Sequence, residues 1–200
     1  TVKSCGQHGM REALLQQISN LSVIVREHLR PYLPAIFEVV EEFWGGRHLS
    51  TLCSLVERIA IAVPDDFRTY VPLLVRQILA SIDAIDLSEW SVNSSLSSSD
   101  IVRLELMLRH IQGIKDELGG YIHLVVPALV RLTDDLINPD ADDKNATSSY
   151  QISPPLGSGR SKLAVEAIDT LSILLQTQHP ATLQTKGPLV YNEQHKEMIY

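Results

Sequence analysis

Cysteine is scarce: two residues in 200 are too few for a disulfide framework, and neither Cys5 nor Cys53 has a C-x-x-C partner. Long apolar runs are missing too. Val71 to Val75 is among the longest, far short of the roughly 20 residues that cross a bilayer. The N-terminus lacks the basic-then-apolar order of a signal peptide, so a soluble chain with reduced thiols is the expectation. There is no basic stripe. The 17 Lys and Arg are scattered and outnumbered by 24 Asp and Glu, for a net charge of −7, which argues against a phosphate-backbone partner. No stretch alternates polar and apolar residues as a half-buried strand would. The chain also lacks an initiating Met and stops at Tyr200 without a capping pattern, so it is expected to be a segment of a larger protein.

What is present is apolar content, 44% of residues, and it repeats. His28 to Trp44, Asp66 to Ile82 and Glu117 to Ile137 are copies of one helical pattern, with Tyr32, Tyr70 and Tyr121 in equivalent places. The first two tyrosines stand about 40 residues apart. Removing a serine-rich insertion of roughly a dozen residues, 88–99, restores about the same period to the third. That is the spacing of HEAT-like helix pairs.

Within each copy the apolar positions recur at helical intervals. Leu33, Ile36, Phe37, Val40, Phe43 and Trp44 form one stripe before Gly45-Gly46. Leu49, Leu52, Cys53, Val56, Ile59, Ala60 and Val63 form the next before Pro64, which cannot continue the ladder. Further stripes run through Val71 to Ile82, Ile101 to Leu118, Ile122 to Leu136 and Ala164 to Leu175. An opening stripe of Leu14, Ile18, Leu21, Val25 and Leu29 reads as the second half of a preceding pair. Pro34 and Pro72 sit near helix starts, where a missing N–H costs little, whereas Pro127 lies deeper and predicts a kink. The predicted fold is all-α: an α-solenoid of HEAT-like antiparallel pairs in one segment, 1–200. Its helices are expected at about 11–29, 32–44, 48–63, 70–83, 99–118, 121–137 and 161–177, with two long disordered-looking loops at 86–98 and 138–160.

Catalytic patterns are sparse. His8, His28, His48, His110, His123, His179 and His195 make no zinc motif. Asp140, Asp142 and Asp143 lack the frame of a calcium loop, and Gly157-Ser158-Gly159 lacks the strand and third glycine of a phosphate cradle. Cys53 lies on an apolar stripe and is expected to pack. Asn145-Ala146-Thr147 fits a glycosylation acceptor and is discounted for a cytosolic chain. Two candidates remain. Trp90, an indole in a polar loop, is a candidate partner contact, where Trp44 reads as core. Ser153, followed by Pro154, is a candidate site for a proline-directed kinase. No catalytic, cofactor-binding or metal residue is expected in this window.

The wording inside the copies resembles the HEAT-repeat region of target of rapamycin (TOR) kinases. Gln16-Gln17-Ile18-Ser19, Val23-Ile24-Val25, Leu29-Arg30-Pro31-Tyr32 and Glu42-Phe43-Trp44 carry the likeness. Asp66 to Pro72, Tyr121 to Pro127 and Ala164 to Leu171 continue it in the same order, over roughly residues 5–176. The resemblance implies the arm of a giant serine/threonine kinase of the phosphatidylinositol-kinase-related class, whose ATP and magnesium sites lie outside this window. It implies protein partners, a raptor-like scaffold subunit and a second TOR protomer, in nutrient-responsive growth signalling. Cytoplasmic localisation is expected with it, with recruitment to lysosomal or vacuolar membrane surfaces through partners. The alternative is a stand-alone α-solenoid adaptor, for transport or as a phosphatase scaffold, with no kinase attached; a downstream kinase domain would separate the two.

Overall fold

In the computed structural model residues 8–85, 87, 98–137 and 159–177 are described. They form eight α-helices and no strand: α1 (His8–Val25), α2 (Leu33–Phe43), α3 (Leu49–Ala62), α4 (Pro64–Phe67), α5 (Val71–Asp83), α6 (Ser98–Gly113), α7 (Ile122–Ile137) and α8 (Gly159–Thr177). The architecture is an all-α solenoid. Helices α1, α3, α6 and α8 follow one another along one side, while α5 meets α7 on the other and α7 closes against α8.

Each copy opens in the same way. The 3₁₀ turns Arg26–Tyr32, Arg68–Tyr70 and Gly119–Tyr121 run directly into α2, α5 and α7, so the repeated tyrosine is the last residue before each first helix. Pro34 and Pro72 then occupy the first turn of α2 and α5, where a fixed φ is suited to a helix and no intrahelical N–H is lost. Helix α7 has Pro127 in its interior instead and runs on through it; His123 and Pro127 are both exposed, leaving the freed carbonyl open to water.

Two helix ends differ from expectation. The first helix stops at Val25, not near residue 29. The chain turns at Arg26, the first residue of the 3₁₀ turn, with φ 45°, a left-handed conformation usually given to glycine. Helix α6 stops at Gly113 rather than 118, and a looser run of bonds from Ile114 to His110 and from Glu117 to Ile114 finishes the turn. The short α4 has no counterpart in the expected helices.

One continuous core joins the repeats. It takes Leu33, Phe37 and Val40 from α2 and Trp44 just after it, Leu52, Leu55, Val56 and Ile59 from α3, Leu74 and Ile78 from α5, Leu104, Leu108 and Ile111 from α6, Leu129 and Leu132 from α7, and Leu163, Ala167 and Leu174 from α8. The end helices break the expected stripes: Leu21 of α1 is half-exposed, as are Ile168 and Leu175 of α8. Each lies on a terminal layer with no described neighbour to cover its outer side.

Candidate functional site

In a solenoid the joints between layers decide the shape of the rod, and here they are built at repeated positions. The Tyr70 ring stacks on Phe37 of the preceding copy, with centroids 4.0 Å apart and planes 6° from parallel. Phe67, fully buried, tilts against the same Phe37 at 6.1 Å. Polar side chains follow the same register. Arg30, two residues before Tyr32, donates through Nε to Asp66 Oδ2 at 2.7 Å. Arg68, two residues before Tyr70, donates through Nε to Glu117 Oε2 at 3.0 Å. Both acceptors stand four residues before the next tyrosine, so the same pair of positions is bridged twice. The third copy has Gly119 where the arginine would be, and the ladder ends there.

Between the first helices, Arg76 of α5 donates to Glu41 of α2 at 2.7 Å, and Arg131 of α7 donates to Asp83 of α5. These pairs are exposed and add little stability, about 0–1 kcal/mol each; they set register. Deeper in, Trp44 Nε1 donates to Ser81 Oγ at 3.1 Å, joining α2 to α5 inside the core. On the other side Arg58 of α3 donates to Asn20 Oδ1 at 2.7 Å and to the Ser19 carbonyl at 3.3 Å in α1.

The joint between α3 and α6 holds a buried histidine. His110, fully buried, shares a hydrogen bond between Nδ1 and Glu57 Oε1 at 2.9 Å, and its ring lies 5.6 Å from that of Trp44. Its Nε2 is buried without a partner among the described residues, an arrangement that costs about 1–3 kcal/mol. Gly113 leaves room beside this pair: a Cβ there would come within 2.8 Å of Glu57 Cδ and the carboxylate would have to shift. One turn before Glu57, Cys53 is buried, and burial pushes its thiol far above the ordinary range, with the Glu57 carboxylate adding to the effect. A thiol held protonated is neither a nucleophile nor a metal ligand; Cys53 packs.

At the base of the 138–158 segment, buried Arg160 of α8 donates through Nε to the Leu136 carbonyl at 2.7 Å and through Nη2 to the Asp135 carbonyl. A guanidinium at the C-terminal end of α7 satisfies carbonyls that the helix leaves unpaired and complements its dipole. Two open grooves flank this layer. One of about 610 Å³ runs between α6 and α8 past Gln112, Val165, Glu166 and Asp169. The other, about 560 Å³, runs between α7 and α8 past Pro127, Val130, Asp134 and Leu171.

The residues singled out from sequence divide unevenly. Trp90 and Ser153 lie outside the described residues, as do the two inserted loops apart from Leu87 and a few residues at their edges. Trp44 is buried in the core. The Glu57–His110 pair escaped sequence reading altogether: its partners are 53 residues apart and match no motif. Among the described residues no group of His, Cys, Asp and Glu converges to hold a metal ion, and no helix is long and apolar enough to cross a membrane.

Fold and joints together define a helical-repeat segment whose layers are bridged at repeated positions. Its likeness to known proteins is specific. It is 32% identical over 129 residues to the serine/threonine-protein kinase mTor of Drosophila melanogaster, covering 64% of this chain. Over 144 residues it is 28% identical to the serine/threonine-protein kinase TOR of rice (Oryza sativa subsp. japonica), covering 66% of this chain. To the serine/threonine-protein kinase TOR2 of Saccharomyces cerevisiae it is 30% identical over 120 residues, 60% of this chain. The chain is thus similar to several TOR kinases over about two thirds of its own length, and it spans about 5% of the length of the curated relatives it matches. No family model and no solved structure matches it.

Proposed function

We propose that the chain is a HEAT-type scaffold segment of a TOR serine/threonine kinase, which acts by shape. Its core and joints hold a stiff rod that sets where a raptor-like subunit and a second TOR protomer sit relative to a distant active site, in nutrient-responsive growth signalling of the TORC1 kind. ATP and magnesium belong to the catalytic part of the longer protein, and the assembly works in the cytoplasm, recruited to lysosomal or vacuolar surfaces by its partners. The observation that carries the reading is the similarity to several TOR kinases over about two thirds of a chain whose repeated positions serve inter-repeat contacts, not chemistry.

The test uses the full-length kinase. Phe37→Asp or Ile59→Asp places an unpaired charge in a fully buried site, which costs several kcal/mol. Co-purification of the raptor-like subunit and of a second protomer is expected to fall together with the fold of the arm, while Glu38→Gln on the surface leaves both at the wild-type level. Normal recovery of both partners with the aspartate variants, despite a disrupted arm, would refute the scaffold role.

A further inference from the structure

Three joints line the side of the rod formed by α1, α3, α6 and α8, and they are not built alike. Helix α3 packs along α1, and α8 along α6, over more of their length than α6 packs along α3. The two closer joints also pair their polar groups. Arg58 of α3 bonds Asn20 and the Ser19 carbonyl of α1, and Arg11 of α1 lies over the Phe43 ring at 4.4 Å. Between α6 and α8, Gln112 donates to Thr170 Oγ1 at 2.8 Å and Arg109 to Glu166 Oε1 at 3.3 Å.

The middle joint is underpaired. Arg103 and His110 stand two turns apart on one side of α6, and both are turned toward the preceding layer. Arg103 Nη2 lies 4.0 Å from where a side chain on Gly45 would begin, and the His110 ring meets Glu57 and Trp44. Arg103 Nε and His110 Nε2 are both shut off from solvent with no hydrogen-bond partner among the described residues. Ser19 Oγ in the α1–α3 joint is unmatched as well, but it is a neutral hydroxyl in a joint that Arg58 bridges, whereas Arg103 carries a full charge. A buried polar group without a partner penalises the closed state and is relieved when water enters.

The other side of the same two layers is tied down. Tyr70 stacks on Phe37, Trp44 donates to Ser81 and Arg76 donates to Glu41. Two layers bonded along one edge and underpaired along the other have the form of a hinge.

We propose that the rod bends at the α3–α6 joint, which opens about the α2–α5 edge as a pivot while α1–α3 and α5–α8 move as two blocks. Opening hydrates Arg103 Nε and His110 Nε2. It also bares Cys53, which lies one turn before Glu57 on α3 and is 1% exposed when the joint is closed. The rod is stiff within each block and compliant between them. This hinge follows from packing and pairing alone and does not depend on the kinase reading, so each can fail without the other.

Cys53 serves as the reporter. The full-length polypeptide is treated with N-ethylmaleimide in native buffer, and modification of the peptide carrying Cys53 is followed by mass spectrometry beside that of a second reporter, Ala167→Cys, at a fully buried position of α8. Cys53 is expected to react about tenfold faster than the α8 reporter, because only its joint opens without unfolding. Arg103→Met and His110→Met keep the bulk and remove the unmatched nitrogens; Glu57, 34% exposed as a side chain, turns to water once His110 is gone. Each variant should slow Cys53 several-fold and leave the α8 reporter unchanged. Equal rates at the two positions before substitution would overturn the hinge. So would a Cys53 rate unchanged in both variants, and so would faster reaction at both positions, which would show that the two nitrogens hold the closed joint together.

Discussion

Tyr32 and Tyr70 occupy the same place in two copies of one pattern, each ending a 3₁₀ turn and followed by an apolar residue and a proline. Yet Tyr70 is stacked on Phe37 at 4.0 Å and Tyr32 is 64% exposed. The difference lies in the neighbour, not in the residue: a complete helix pair, α2 and α3, precedes Tyr70, whereas among the described residues only α1 precedes the turn that ends at Tyr32. In a solenoid burial is therefore a property of the joint, and energetic weight should follow the joints rather than the consensus.

The comparison is broken most directly by truncating both sides of it. Phe37→Ala, at a side chain 2% exposed, is expected to cost about 3–5 kcal/mol in urea unfolding of this chain, while Tyr32→Ala stays within about 0.5 kcal/mol. Equal losses would mean that Tyr32 is covered in solution. Next in size is Gly113→Ala. The new methyl displaces Glu57 and strips buried His110 of its remaining partner, for an expected loss of about 1–3 kcal/mol; Glu57→Ala should make the second substitution nearly neutral, because the group in the way is gone.

The ladder sharpens the picture at lower energy. Glu117 is 11% exposed as a side chain whereas Asp66 is 36% exposed, so Arg68→Ala should destabilise more than Arg30→Ala, both within about 1 kcal/mol. Raising salt should shrink the smaller effect first. The smallest change is a gain. Arg26→Gly removes a side chain from φ 45° and should raise the melting temperature slightly, corresponding to about 0.5–1 kcal/mol. No gain would mean that the arginine side chain compensates its backbone strain.

The helical pairs were legible because their signals are local: stripes at 3.6-residue spacing, prolines in first turns, glycines after Trp44. The repeated tyrosine could be seen, but not that it closes a 3₁₀ turn. Periodicity also marks an apolar side without saying whether anything covers it, which is why Leu21, Ile168 and Leu175 read as core and are half-exposed. The end of α1 was misplaced because an arginine, not a glycine, takes the left-handed turn. The Glu57–His110 joint depends on packing between distant helices and leaves no spacing to read. The resemblance to TOR kinases rested on short stretches of wording rather than on chemistry, in keeping with a segment whose repeated positions make joints.

The central claim is that the repeated positions are inter-layer joints, and a double-mutant cycle of Phe37→Ala and Tyr70→Ala measures it. A coupling of about 0.5–1.5 kcal/mol is predicted for the stacked rings. Losses that add to within about 0.3 kcal/mol would show two independent core residues and contradict the account.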